Sequence, residues 1–153
     1  MIGFEGKSFM HQIQTRRNTS SQFLLNLALY VPFLVICGVI FWLSSLSHPP
    51  IPSFMKFHNG DKVMHAVAFF CVGFAAVLPL AFRKTLFTFW VFVRGLALAA
   101  VYAALDEVHQ AYVPMRDSSY LDFSADIFGA TLGVFTFWVM MSLIRRGEKQ
   151  KAP

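Results

Sequence analysis

Charged side chains are scarce in this sequence. Asp, Glu, Lys and Arg make up 14% of its 153 residues, against roughly 25% in soluble domains. With 56% hydrophobic residues and 18 phenylalanines, a water-soluble fold would have to coat its own surface in phenylalanine. A soluble globular domain, a disordered chain and a collagen-like fibre are therefore excluded. Cysteine is equally sparse: Cys37 and Cys71 each sit in an apolar run, which argues against a disulfide framework or thiolate zinc site and for two small buried hydrophobes. Also absent are H-E-x-x-H spacing, a G-x-S-x-G elbow around any serine, a phosphate-cradling glycine loop and any internal repeat. The net charge is +5, but the basic residues flank apolar runs instead of alternating with exposed aromatics. That pattern excludes nucleic acid and points to a lipid bilayer.

Apolar length is what the chain has in abundance. Four runs, at about residues 23–46, 63–82, 87–105 and 127–144, each approach the ~20 residues that cross a hydrocarbon core of about 30 Å. They predict an all-α membrane protein, four transmembrane helices in an antiparallel bundle. Residues 1–22 are expected to form a cytoplasmic N-terminal tail, 23–144 the membrane domain and 145–153 a basic cytoplasmic C-terminal tail. Little more than Arg83, Lys84 and Thr85 joins the second and third runs, so a tight hairpin is expected there. Pro32 and Pro79 fall inside spans, which membrane helices tolerate when neighbours re-satisfy the backbone. The first run exceeds the about 7–15 apolar residues of a signal peptide and follows a polar segment, so it is expected to remain as a span.

Basic residues orient the bundle. The side with the two tails and the 83–85 turn carries nine Lys and Arg; the other carries only Lys56, Lys62 and Arg116. The positive-inside rule places both termini in the cytoplasm. Six of the eight acids, Asp61, Asp106, Glu107, Asp117, Asp122 and Asp126, then gather toward the outer face. Arg94 would lie near mid-bilayer unless the third span slides toward residues 95–110; that slide lets Arg94 snorkel and draws Asp106 and Glu107 into the outer boundary.

Ionisable groups at a hydrocarbon boundary cost several kcal/mol unless paired or facing a wet cavity, so each is a functional candidate. Asp106 and Gln110 are four apart and share a helix face, with Glu107 one residue round. Ser119 and Asp122 fit a capping box, which leaves Asp126, one turn deeper, unexplained. Gly129 and Gly133 form a G-x-x-x-G pair, expected to let another helix approach closely. Asp61 fits an N-cap of the second span, with Lys62 beside it and His65 one turn deeper. His65, Glu107 and His109, with Asp122 or Asp126, could be combined as zinc ligands, but no local spacing supports this and no metal ligand or cofactor is assigned.

These blocks resemble the VanZ-like family over roughly residues 23–144. The resemblance rests on Phe41-Trp42-Leu43-Ser44-Ser45, Asp61-Lys62-x-x-His65, and Asp106-Glu107-x-x-Gln110 followed by Pro114-x-Arg116, Ser119-x-x-Asp122 and Gly129-x-x-x-Gly133. Two departures stand out: Asp126 where the family commonly has Asn, and Met115 where it has Gly. The resemblance implies a protein of the bacterial cytoplasmic (inner) membrane acting at the cell envelope. The family's namesake is a glycopeptide (teicoplanin) resistance determinant.

Three functions remain open on these residues. The first is a binding or accessory module whose outer pocket holds a lipid-linked envelope precursor's head group or a glycopeptide through Asp61, Lys62, Gln110, Arg116 and Asp126. The second is an enzyme using His65 as general acid or base, with Asp106, Glu107 or Asp122 as its partner. The third, a small transporter, needs polar groups in the cytoplasmic half, where only Arg94 is available. Oligomeric state is not legible. Arg116 is expected to bridge Glu107 and Asp122, and Asp61, His65, Glu107, Gln110, Arg116 and Asp122 to share one pocket.

Overall fold

The computed structural model describes residues 24–25, 27–50, 52–82, 89–116 and 118–151. The expected N-terminal tail, the 83–85 turn, Asp117 and the chain end at Pro153 lie outside the described residues. Within them the chain is helical and contains no strand. Helix α1 spans Val31–Ser44, α2 Gly60–Phe82, α3 Phe89–Gln110 and α4 Tyr120–Lys151, with a 3-10 turn at Ser53–Met55 between α1 and α2. Helices α2, α3 and α4 are each long and apolar enough to cross a membrane, and α1 is a shorter apolar helix.

The element boundaries refine the expected runs. Helix α1 has 14 residues, about 21 Å at 1.5 Å per residue, so the first run is not one unbroken spanning helix. Pro32 lies at its first turn, where the missing N–H has no helical partner to lose; it opens the helix and does not sit inside a span, the position expected for it. Pro79 is inside α2. Helix α4 starts at Tyr120, seven residues before its apolar run, so Asp122 and Asp126 are carried inside the helix. Asp61 also lies inside the first turn of α2, with the Asn59 carbonyl accepting the Val63 N–H at 3.3 Å; it is not the N-cap.

Burial runs inside out. Small residues fill the centre, among them Ala75, Ala76, Ala99, Ala103 and Ala130, while Leu34, Trp42, Val101, Leu105 and Phe128 are exposed. That distribution suits a lipid solvent, in which close helix approach and not apolar burial drives association. Cys71 is on the exposed face and Cys37 half-buried, so only the latter approaches the expected buried position. Arg94 is exposed, about 7.5 Å along α3 from its start.

Helices α2 and α4 form the tightest pair and run parallel. A Cβ on Gly129 would meet the Ala66 backbone, one on Gly133 the Phe70 backbone, and one on Gly73 the Ala130 backbone. The G-x-x-x-G pair thus packs a helix, as its spacing predicts. Helix α3 runs antiparallel to both, and α1 lies against α2 and α3. Two apolar clusters result, one around Phe69, Val72 and Ala103 and one around Val77, Val134 and Phe137.

Candidate functional site

The start of α2, the end of α3, the start of α4 and the end of α1 meet at one end of the bundle, and the acidic groups gather there. The parallel register set by Gly129 and Gly133 continues outward along α2 and α4. It puts Lys62 beside Asp122, with Nζ donating to Oδ1 at 2.8 Å, and His65 beside Asp126, with Nδ1 2.9 Å from Oδ1. Asp126 is fully buried. Lys62 also donates to Asp61 Oδ2 at 3.0 Å, so one ammonium serves two carboxylates. A point charge with three donors on a flexible stem suits that task.

Helix α3 supplies the next layer. Gln110 Nε2 donates to Asp106 Oδ2 at 2.8 Å, the i,i+4 relation expected of that helix face, and both residues are buried. Glu107 points the other way around α3 and accepts the Ser119 backbone N–H through Oε2 at 2.9 Å. Ser119 Oγ accepts the Leu121 N–H at 3.1 Å. The carboxylate on the Ser119 N–H, at the start of α4, therefore comes from α3 and not from Asp122, so the expected reciprocal capping box does not form.

Helix α1 closes the third side through polar contacts to α3 and the following loop. Tyr102 Oη donates to the Cys37 carbonyl at 2.6 Å. Ser45 Oγ donates to the Phe41 carbonyl at 2.7 Å and lies 2.9 Å from His109 Nε2, whose ring sits 4.5 Å from that of Phe41. Arg116 Nη2 reaches the Leu43 carbonyl at 3.4 Å. The expected bridge from Arg116 to Glu107 and Asp122 is therefore not made: Lys62 takes Asp122, and the Ser119 amide takes Glu107. Arg116 turns instead toward the carbonyl end of α1, whose partial negative charge attracts a cation; the Leu43 carbonyl also accepts the Leu46 N–H at 3.2 Å.

Between α1, α2 and α3 lies a cleft of about 130 Å³. Ile40, Leu43, Met64 and Phe69 are among its apolar walls, and Asp61, His65, Asp106 and Arg116 are its ionisable lining. Glu107 lies outside it, facing a second groove with Ser118, Ser119 and Tyr120. The expected single pocket is thus divided: Asp61, His65 and Arg116 share the cleft, while Glu107, Gln110 and Asp122 do not line it. Asp106 Oδ1, Glu107 Oε1, Asp126 Oδ2 and Arg116 Nε are buried without a hydrogen-bond partner. His65, Glu107 and Asp126 each offer a ligand atom within 4.8 Å of the others, a set drawn from three helices. His109, considered as a ligand from sequence, is engaged by Ser45 instead.

Sequence reasoning missed Tyr102. Tyr102 is one turn before Asp106 on the same α3 face, and a single hydroxyl in an aliphatic run was the available signal. Met115 adopts φ 64°, a left-handed conformation that glycine enters freely; the Pro114-x-Arg116 turn thus keeps the backbone of a glycine turn without the glycine.

Neither curated proteins nor solved structures yield a match to this chain. Among protein families, the VanZ/LLP1 model matches residues 9–142. With most of its length matched, and three apolar helices long enough to span a bilayer, the chain belongs to the VanZ-like family of integral membrane proteins.

Proposed function

We propose that the protein is an envelope-facing binding module whose cleft holds the head group of an amphipathic lipid, with both termini in the cytoplasm of a bacterial inner membrane. One observation carries this reading: a cleft with apolar walls is also lined by Arg116 and Asp106, whose Nε and Oδ1 are buried without a partner. A cationic donor and an anionic acceptor in the lining of an apolar slot match a head group with both phosphate oxygens and hydroxyl or amine donors. Arg116 takes the phosphate; Asp106, oriented by Gln110, takes the donor. Lipid-linked envelope precursors have this chemistry, and an accessory role in glycopeptide resistance follows if such a precursor is the occupant. The topology rests on nine basic residues on one side against three on the other.

The test is native mass spectrometry of the protein purified in nanodiscs of its host lipids. A phosphate-bearing lipid should be retained, and lost in Arg116→Gln and in Ala68→Trp, which fills the cleft. Identical lipid profiles in all three proteins would end the proposal. A reporter fused after Pro153 should be active only in its cytoplasm-dependent form.

A second reading, an enzyme acting on the same lipid, is favoured by His65 beside Asp126. An imidazole held by a carboxylate is a competent general base. Turnover of the retained lipid by the wild type and not by His65→Gln would support it.

A further inference from the structure

We propose that His65, Glu107 and Asp126 form a binding site for a divalent cation of the Zn²⁺ class, held between α2, α3 and α4. The donors are already assembled, one atom from each residue within 4.8 Å of the others. Zinc takes nitrogen and oxygen ligands at about 2.0–2.2 Å in tetrahedral sites, which sets its donors about 3.3–3.6 Å apart. The His65–Asp126 separation of 2.9 Å and the outer limit of 4.8 Å bracket that spacing.

The lone pairs are a second, independent observation. Asp126 has 0% exposure, yet its Oδ2 has no partner, and neither has the buried Glu107 Oε1. Buried polar atoms in folded proteins are nearly always satisfied, so two orphaned carboxylate oxygens beside an imidazole point to a cation. One remaining oxygen is held from outside the set: Glu107 Oε2 accepts the Ser119 N–H. An outer partner of this kind orients a metal ligand and tunes it.

Charge makes the same argument. Lys62, the nearest ammonium on α2, is spent on Asp61 and Asp122, and Arg116 is directed at the Leu43 carbonyl. Two buried carboxylates against one imidazole leave a deficit that a low-dielectric site cannot tolerate cheaply. A divalent ion removes it. The nitrogen-and-oxygen donor set, with neither Cys37 nor Cys71 included, selects Zn²⁺ or Mn²⁺ over Cu(I) or an iron–sulfur cluster. Three protein ligands leave a coordination position open, and His65 borders the cleft, so the open position can be reached by a head group there.

The inference does not depend on the head-group reading. It is tested by stripping the nanodisc-embedded protein with a chelator and titrating it with Zn²⁺ by calorimetry and with Co²⁺ by visible spectroscopy. One equivalent per chain is expected, with ligand-field bands for Co²⁺. Glu107→Gln and Asp126→Asn should each weaken Zn²⁺ binding by about tenfold or more, whereas Asp117→Asn, an acid outside the ligand set, should change it by less than about twofold. Failure of the wild type to take up a stoichiometric ion overturns the proposal whether or not any variant folds. Equal affinity in all four proteins overturns it too, as binding to surface acids only. Lipid retained without metal would sink this site and leave the head-group reading standing.

Discussion

The two ends of the α2–α4 pair are built from the same helices and obey different rules. Toward the end of α2, Val77, Val134 and Phe137 pack in an apolar cluster. Toward its start, within about four turns, the same two helices align Lys62 with Asp122 and His65 with Asp126. The apolar end needs only shape. The polar end needs shape and, in addition, a partner for each charge, because lipid supplies none. What joins them is the glycine seam. Gly129 and Gly133 set the α2–α4 register by bringing backbones together, and that register then decides which charges meet.

The largest expected effect breaks this seam. Gly133→Leu places a side chain where the Phe70 backbone lies and should abolish folded protein, read as loss of the monodisperse peak in detergent size-exclusion. Gly38→Leu, at a site with nothing within 4 Å of a new Cβ, should leave that peak in place. If both variants behave alike, the seam does not hold the bundle.

Next comes the polar end. His65→Leu strands the fully buried Asp126 and should cost about 3 kcal/mol, seen as a lower Tm. The double variant His65→Leu/Asp126→Leu should recover most of that loss, since replacing both partners with apolar groups is often near neutral. A double variant as unstable as the single one would show that the pair is itself stabilising.

A smaller effect separates folding from binding. Arg116→Lys should insert and fold normally but weaken lipid retention about tenfold, because an ammonium lacks the planar fork that reaches the Leu43 carbonyl and would hold the proposed phosphate. Asp117→Asn should retain lipid as the wild type does. The smallest effect is at the turn: Met115→Gly relieves a left-handed backbone at φ 64° and loosens the unfolded chain, so the two changes should leave stability within about 1 kcal/mol.

How far the site was legible follows from what each residue interacts with. Asp106 with Gln110 is an i,i+4 relation within one helix, and sequence spacing suffices to pair them. The Gly129–Gly133 pair also announces a packing face. It does not say which helix packs there, and the identity of that partner, α2, is what delivers Lys62 to Asp122. Arg116 was misassigned for the same reason. Its charge made a carboxylate the expected partner, but the end of α1 offers a carbonyl there while Lys62 and the Ser119 amide have already taken the two acids.

Sequence by itself determined the apolar surroundings, the all-helical class and the end of the bundle at which the acids collect, because hydropathy, span length and charge placement are properties of single segments read one at a time. Tertiary structure alone decided that α2 and α4 run parallel against each other, that Glu107 and Asp106 face different clefts, and that His65, Glu107 and Asp126 converge from three helices. Those outcomes depend on rotations of one helix about its axis relative to another. Helix rotation is set by close backbone contacts at Gly73, Gly129 and Gly133, and such contacts are a property of pairs of segments that no single segment encodes.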